Sequence, residues 1–115
     1  MLDWKNLFSI EQLDEIDRIS EEKPCLIFKH STRCSLSDLV LKRFENNWDV
    51  SSELIPIYFL DLVQYRQVSN HIAERYSVEH ESPQVLLIEK GSCIFAESHL
   101  DIDTNELKDT LFTVK

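Results

Sequence analysis

The sequence is poor in the residues that bend or cross-link a chain. Its 115 residues include one glycine, three prolines and three cysteines. With so little glycine, the turns must depend mainly on Asn, Asp, Ser and Pro. The cysteines form no Cys-x-x-Cys pair and follow no metal-ligand spacing. We therefore expect no metal site and no bound cofactor.

Positive charge and long apolar runs are also scarce. Lys and Arg number 12 against 21 Asp and Glu, which gives a formal net charge of −9. That charge disfavours nucleic acid or an anionic membrane as a partner, because both need a positive surface. No stretch approaches the roughly 20 apolar residues of a membrane span. The segment Met1–Lys5 lacks the basic start and apolar core of a signal peptide. The expected compartment is therefore the cytoplasm.

Apolar residues make up 43% of the chain, and their order predicts one α/β domain over residues 1–115. Predicted strands cover about 25–29, 54–60, 84–89 and 93–96, with a weak strand pattern at 4–8. Predicted helices begin at Ser9 through a capping box with Gln12, after Cys34, near Gln64 and near Thr104. The Lys90-Gly91-Ser92 segment is typical of a β-hairpin turn.

This order of elements is the topology of a thioredoxin-like fold. A βαβ unit is followed by a helix, a β-hairpin and a C-terminal helix, which implies a mixed central sheet with helices on both faces. The two strands of the βαβ unit must be parallel.

The segment Phe28–Ser37 carries the chemistry. The apolar run Leu26–Phe28 gives way to short polar residues and Cys34, after which a helical pattern begins. Cys34 is therefore predicted at a helix N-terminus, where unpaired N–H groups and the helix dipole stabilise a thiolate. Three residues later stands Ser37 instead of a second cysteine, so the site has one thiol. The Ser37 hydroxyl could donate to the thiolate or bond to its own helix backbone, and both interpretations stay open.

A second motif, Ser82-Pro83, stands directly before the strand that begins at Gln84. A proline at this place of the topology, in a chain with a cysteine after the first core strand, is predicted to have a cis peptide bond. The backbone groups of Ser82 could then pair with an extended substrate, as an added strand does.

With these motifs the chain resembles the monothiol bacilliredoxins, also called YtxJ-like proteins. The core of the resemblance is Lys29-His30-Ser31-Thr32-Arg33-Cys34 followed by Leu36-Ser37, which is similar to the family signature T-x-C-P-[IV]-S. Ser82-Pro83-Gln84 is similar to the family's cis-proline segment. One departure is Ser35, which stands where the family usually has proline and which keeps a backbone donor that proline lacks.

The resemblance implies removal of bacillithiol, a low-molecular-weight thiol, from mixed disulfides on client proteins. Cys34 and Ser37 would then be the catalytic residues. Substrate-binding residues would be Thr32, Arg33, Ser82 and Pro83. Bacillithiol would be a co-substrate rather than a bound cofactor, and the partners would be bacillithiolated client proteins and bacillithiol.

Other residues near the motif have two interpretations each. Arg33 and Lys29 either attract the carboxylates of bacillithiol or help to hold the thiolate, or they point to solvent. His30 is interpreted as structural or solvent-facing, because the sequence shows no Asp or Asn that would orient a Cys–His pair. Cys25 and Cys93 are interpreted as small core residues, with the alternative that one of them resolves a disulfide at Cys34.

Two rival functions remain at this stage. One is a glutaredoxin-like monothiol enzyme that uses another small thiol, which the lack of a Cys-Gly-Phe-Ser motif and of a glycine pair disfavours. The other is a non-catalytic thioredoxin-like binding module in which Cys34 is incidental.

Overall fold

The fold is built around a central strand that is buried along its whole length. A computed structural model of the chain describes residues 2–112. In chain order the elements are β1 (Lys5–Asn6), α1 (Glu11–Ile19), β2 (Cys25–His30), α2 (Ser35–Asn47), β3 (Ile57–Asp61), α3 (Arg66–Tyr76), β4 (Gln84–Glu89), β5 (Ser92–Ser98), a 3₁₀ turn (His99–Asp101) and α4 (Thr104–Phe112). The sheet order is β1-β3-β2-β4-β5, so β2 has a neighbour on each side.

The sheet is mixed, as the sequence predicts. β3 runs parallel to both β1 and β2, whereas β4 runs antiparallel to β2 and to β5. All six residues of β2 are buried, because helices cover both faces of the sheet. The predicted thioredoxin-like α/β fold is confirmed.

Each face of the sheet has its own apolar core. On one face α1 and α3 pack against the sheet through Leu13, Ile16, Val68 and Ile72. On the other face α2 and α4 pack through Val40, Phe44, Trp48 and Leu107. Alternate residues of β2 serve the two cores, since successive side chains of a strand point to opposite faces.

Aromatic rings fill the core beneath α2. Phe28 of β2 lies edge-on to Phe44 of α2, with ring centroids 5.5 Å apart, and Trp4 packs on Phe28 at 5.9 Å. The Phe44 ring stacks on Trp48 at 5.3 Å. Aromatic pairs at these separations add to the stabilisation from burial alone. These contacts hold the helix that follows Cys34 against the sheet.

Several predicted boundaries differ from the structure for local reasons. β3 begins at Ile57 rather than Leu54, because Leu54 and Ile55 donate to the carbonyl of Ser51 in a turn that leaves Leu54 exposed. α3 begins at Arg66 rather than Gln64, because Asp61 Oδ1 accepts from the Val63 and Gln64 amides. Such a side-chain turn competes with the helix for these amides.

The start of α1 shows half of the predicted capping box. Gln12 Oε1 accepts from the backbone amides of Ser9 at 3.0 Å and Phe8 at 2.7 Å. The Ser9 hydroxyl caps no helix amide, and α1 begins at Glu11. At the other end of the chain, Asp103 Oδ1 accepts from the Asn105 amide at 2.8 Å, so Asp103 caps α4. Within residues 2–112, no helix has the length and apolar character needed to cross a membrane.

The aromatic core predicts a large loss of stability in Phe28→Ala. Phe28 is fully buried, and truncation of such a ring costs about 3–5 kcal/mol in the free energy of unfolding. Denaturant unfolding followed by circular dichroism measures this change. The matched control is Leu39→Ala, whose side chain is 58% exposed and whose loss is expected to stay within about 0.5 kcal/mol. Equal losses in the two variants would contradict the packing described above.

Candidate active site

Cys34 lies between the carboxyl end of β2 and the first turn of α2. Its backbone is extended, with φ −120° and ψ 116°, and it is the N-cap residue of α2. A tight turn leads into it, because the Cys34 amide donates to the Ser31 carbonyl at 3.3 Å and the Arg33 amide donates to Ser31 Oγ at 3.3 Å. The predicted strand-to-helix junction is confirmed.

The helix end at Cys34 is suited to a negative charge. The Cys34 carbonyl accepts from the amides of Ser37 at 3.1 Å and Asp38 at 3.3 Å. The amides of Ser35 and Leu36 belong to the first turn and have no intrahelical acceptor. Together with the helix dipole, these donors favour an anion at the N-cap side chain. Cys34 is a free, half-buried thiol, so the anion in question is its thiolate.

Ser37 occupies the place of a second thiol and makes contacts that neither sequence interpretation includes. The residue is fully buried. Its Oγ accepts from the Ser31 amide at 3.1 Å and lies 2.7 Å from His30 Nδ1. Within residues 2–112 this side-chain oxygen forms no hydrogen bond with Cys34 or with the backbone of α2. Both proposed roles of the hydroxyl are therefore corrected: in this structure it bonds to the turn before Cys34 and to His30.

Of the two interpretations of His30, the structural one fits the structure and the solvent-facing one is wrong, as is the expectation that no acidic residue lies beside it. The residue is only 4% exposed, and it does have an acidic partner, since its Nε2 lies 3.3 Å from Asp38 Oδ1. Burial lowers the pKa of His30, and the nearby carboxylates of Asp38, Asp61 and Glu45 oppose that shift only in part. His30 is therefore a buried imidazole that is hydrogen-bonded to Ser37 Oγ through Nδ1 and lies beside the Asp38 carboxylate through Nε2.

Lys29 is also buried, contrary to a solvent-facing or substrate-facing role. Its side chain is fully enclosed on the α3 side of the sheet. There Nζ donates to the Ser69 carbonyl at 3.2 Å and lies 3.4 Å from His80 Nδ1. Burial lowers the pKa of Lys29 to about 8. Arg33, by contrast, is exposed next to Cys34, as is Thr32.

The Ser82-Pro83 segment lies at the same end of β2. Gln84, the first residue of β4, pairs with Lys29 of β2, and the preceding peptide bond between Ser82 and Pro83 is cis, as predicted. The Pro83 carbonyl accepts from the His99 amide at 2.9 Å. Among the described residues no hydrogen bond engages the backbone N–H or C=O of Ser82. These two groups are the ones that an extended substrate segment could pair with.

Cys25 and Cys93 lie far from Cys34. Cys25 begins β2, five residues before His30, and a strand of that length spans roughly 16 Å. Cys93 pairs with Ile88, which in turn pairs with Cys25, so both thiols are at the opposite end of the sheet. Disulfide geometry needs Cα atoms within about 7 Å, so neither thiol resolves a disulfide at Cys34 in this fold. Burial raises the pKa of Cys25 to about 11 and also raises that of Cys93.

The geometry corresponds to a thioredoxin-fold protein with a single thiol at this helix N-terminus, and comparison with known proteins agrees. A family model described as monothiol bacilliredoxin BrxC matches residues 5–107. The chain belongs to this family, and a thiol redox role follows from it. Within residues 2–112 no group of three or more His, Cys, Asp or Glu is placed to hold a metal ion.

Solved structures share the fold. One whose description proposes an oxidoreductase with a thioredoxin fold is 29% identical, covers 90% of this chain and 89% of its own, and has a TM-score of 0.76. The thioredoxin Mala s 13 of Malassezia sympodialis is 15% identical over 96% of this chain and 90% of its own, with a TM-score of 0.73. Spinach chloroplast thioredoxin f is 9% identical over 93% and 88%, with a TM-score of 0.68. At these identities the two thioredoxins show the fold alone.

The contacts of Ser37 lead to a prediction for Ser37→Cys. A cysteine three residues after an N-cap cysteine faces it across the first turn, so oxidation should join residues 34 and 37 in a disulfide. Mass spectrometry of the oxidised variant, after blocking of free thiols and digestion, measures this bond. The matched control is the double variant Cys34→Ser/Ser37→Cys, which should keep its new thiol free. If the single variant also keeps both thiols free, the two positions do not face each other.

The burial of Lys29 leads to a pH-dependent prediction for Lys29→Met. The Lys29 ammonium loses its proton near pH 10.5 in the unfolded chain and near pH 8 in the folded protein. Between these two pH values the unfolded chain therefore binds more protons than the folded protein. The stability that Lys29 contributes therefore falls as the pH drops through this window. Lys29→Met should be more stable than the wild type at pH 7, by roughly 1–3 kcal/mol, and the difference should shrink by pH 10.

Denaturant unfolding at pH 7 and pH 10 measures this difference. Lys42→Met, at an exposed position, is the control and should change the free energy of unfolding by less than about 0.5 kcal/mol at either pH. A Lys29→Met protein that is less stable at pH 7, or whose advantage does not depend on pH, would contradict the buried ammonium.

Proposed function

We propose that this protein removes bacillithiol from mixed disulfides on client proteins through the Cys34 thiolate. The observation that carries the proposal is the isolation of this thiol. Cys34 is accessible at a helix N-terminus, a buried serine stands at position 37, and the other two cysteines lie at the far end of the sheet. A single thiol of this kind can accept a small thiol but cannot release it through an internal disulfide.

The transfer consists of two thiol–disulfide exchanges. The Cys34 thiolate attacks the bacillithiol sulfur of the mixed disulfide, a new bond forms between these two sulfurs, and the client leaves as a thiolate. A second bacillithiol, or a separate redox protein, then attacks the adduct and releases Cys34 as a thiolate. No electrons are gained or lost overall in either exchange, so no bound cofactor takes part.

Four residues around Cys34 are proposed to bind the substrate. Thr32 and Arg33 are exposed directly before it, and among the described residues no carboxylate pairs with Arg33, which leaves its guanidinium free for the carboxylates of bacillithiol. Ser82 supplies the unpaired backbone groups for an extended client segment, and Pro83 orients them. For Ser37 the proposed part in catalysis is to hold the turn before Cys34, since its Oγ accepts from the Ser31 amide at 3.1 Å.

The proposed setting is the cytoplasm, with bacillithiol and bacillithiolated proteins as partners. The net charge of −9 supports a partner that is neither nucleic acid nor a membrane surface. Ser35, in place of the proline that the family usually has, leaves one more amide donor near the sulfur. This additional donor is compatible with a stable thiolate.

The direct test uses a client protein that carries bacillithiol on a surface cysteine. On mixing, the client should lose the adduct, and mass spectrometry should find bacillithiol on Cys34. Repeated turnover should require added bacillithiol, because no internal thiol releases the adduct. The Cys34→Ser variant should abolish transfer, whereas Cys25→Ser and Cys93→Ser are matched controls that should leave it nearly intact.

Two outcomes would overturn the proposal. Transfer that survives in Cys34→Ser would show that Cys34 is not the acceptor, as in a non-catalytic module. Far faster reduction of a glutathionylated client than of a bacillithiolated one would indicate a glutaredoxin-like enzyme.

A further inference from the structure

A buried lysine connects β2 to the loop that enters β4. Lys29 Nζ donates to the Ser69 carbonyl of α3 at 3.2 Å and lies within hydrogen-bond distance, 3.4 Å, of His80 Nδ1. Ser69 Oγ lies 3.3 Å from the same nitrogen. His80 belongs to residues 79–83, which we call the entry loop because they lead into β4. Side chains from β2, α3 and the entry loop therefore meet at one point.

The Lys29 ammonium has no counter-charge at this point. The side chain is fully buried, and among the described residues no carboxylate forms an ion pair with it. A buried cation that is held only by neutral acceptors lowers the stability of a fold. An apolar residue at this strand position would pack between α3 and the sheet without that cost. The presence of Lys29 therefore points to a role other than stability.

The contact with Lys29 defines the state of the His80 ring. An ammonium can only donate, so His80 Nδ1 is the acceptor and the proton of the neutral ring is on Nε2. Burial and the positive charges of Lys29 on β2 and Arg66 on α3 lower the pKa of His80, and the Glu81 carboxylate opposes that shift. His80 is therefore neutral at pH 7 and able to accept.

His80 connects the middle of the entry loop to the body of the fold. At the two ends of the loop, the Glu79 carbonyl accepts from a side chain of β4 at 3.0 Å and the Pro83 carbonyl accepts from the His99 amide at 2.9 Å. Between these ends the loop contacts the buried cluster through His80, two residues before Ser82. The backbone groups of Ser82 have no partner among the described residues, so their direction depends on the contacts that hold the rest of the loop.

We propose that Lys29 positions the entry loop for client binding. Its ammonium donates to His80 Nδ1 and holds this ring against α3, which fixes the direction of the Ser82 backbone groups. The inference rests on the proposed function, in which those groups pair with an extended client segment. Lys29 and His80 are positioning residues, because they act on the client only through Ser82.

This role separates client binding from the chemistry of the thiol. Cys34 is the N-cap of α2, which packs on the face of the sheet opposite to α3 and Lys29. Loss of the Lys29 contact should therefore leave the reactivity of Cys34 toward a small reagent unchanged. It should weaken the binding of a client in proportion to the time that the loop spends in other arrangements.

The first test compares client transfer in His80→Leu and His80→Asn, with bacillithiol in excess. Leucine removes the acceptor, whereas asparagine keeps one, since its Oδ1 can take the place of Nδ1. We expect the KM for the bacillithiolated client to rise roughly tenfold in His80→Leu, as for a loop that is correctly placed a tenth of the time. An unchanged kcat would show that only binding is affected. His80→Asn should recover most of the wild-type KM.

Lys29→Met removes the donor and should raise the KM in the same way. This variant is expected to be more stable than the wild type at pH 7, so its raised KM would not come from unfolding. The matched control is His71→Leu, which removes an imidazole of α3 outside the cluster and should leave the KM unchanged. In every variant iodoacetamide should alkylate Cys34 at the wild-type rate.

Four results would overturn the proposal. They are an unchanged KM in either His80→Leu or Lys29→Met, an equal rise in His71→Leu, a KM in His80→Asn as high as in His80→Leu, and slowed alkylation of Cys34 in the variants that raise the KM.

The second test uses no bacillithiol and follows the His80 imidazole by NMR during a pH titration. Lys29→Met removes a positive charge at hydrogen-bond distance from the ring, so the pKa of His80 should rise by about one unit. Lys42→Met, at an exposed position of α2, is the control and should leave the pKa of His80 unchanged. An equal pKa of His80 in Lys29→Met and the wild type would contradict the contact on which the proposal stands.

The two proposals fail separately. If the wild type reduces a glutathionylated client far faster than a bacillithiolated one, the bacillithiol proposal is overturned, and the rise in KM is then measured with the glutathionylated client. If bacillithiol transfer is normal and the KM is the same in all variants, the positioning role of Lys29 alone is overturned.

Discussion

The structure depends on the burial of β2 between two strands. β2 is hydrogen-bonded along one edge to β3, which runs parallel to it, and along the other edge to β4, which runs antiparallel to it. Because both edges are paired and both faces are covered, the carboxyl end of β2 has one position. The chain that leaves it enters α2 after a single turn, and the start of β4 lies beside it. This one constraint therefore places Cys34, Ser37 and Pro83 at the same end of the sheet.

The burial of β2 also demands that two polar residues find partners away from water. Lys29 and His30 are neighbours in the strand and point to opposite faces of the sheet. Lys29 donates to a carbonyl of α3, whereas His30 is hydrogen-bonded to Ser37 and lies beside the Asp38 carboxylate, both in the first turn of α2. A buried polar group is costly unless it is hydrogen-bonded. The requirement ties α2 to β2 by polar contacts in addition to the aromatic core.

Much of the fold and the place of Cys34 follow from patterns that are local in the sequence. The strand Gln84–Glu89 has the predicted bounds, because its apolar run is continuous and a turn that contains a glycine ends it. Cys34 is predicted at the helix N-terminus because it and a few polar residues stand between an apolar run, which predicts a strand, and residues with helical periodicity. The cis bond before Pro83 is predicted only through its place in the topology.

The contacts that the sequence did not predict join residues that only the folded path of the chain brings together. His30 and Asp38 are eight residues apart on different elements, and only the tight turn through Ser31 brings them together. The burial of Lys29 is hidden for a similar reason, since a charged residue at a strand end suggests solvent unless helices cover both faces. The Asp61 side chain accepts from two backbone amides, so α3 begins two residues later than predicted. The apolar pattern of the sequence does not indicate such a turn. Each of these depends on side-chain partners, and hydrophobic periodicity says little about them.

The distance between Cys34 and the other two thiols has a consequence for how long an adduct lasts. In a protein with a resolving cysteine, this second thiol displaces the adduct from the reactive thiol at a rate that the geometry of the protein sets. In the reaction proposed for this protein, the adduct would stay until a thiol from solution arrives, so its lifetime would depend on the concentration of that thiol. Each chain would then hold at most one adduct at this site. The occupied fraction of Cys34 would therefore report the balance between oxidised clients and free small thiol around the protein.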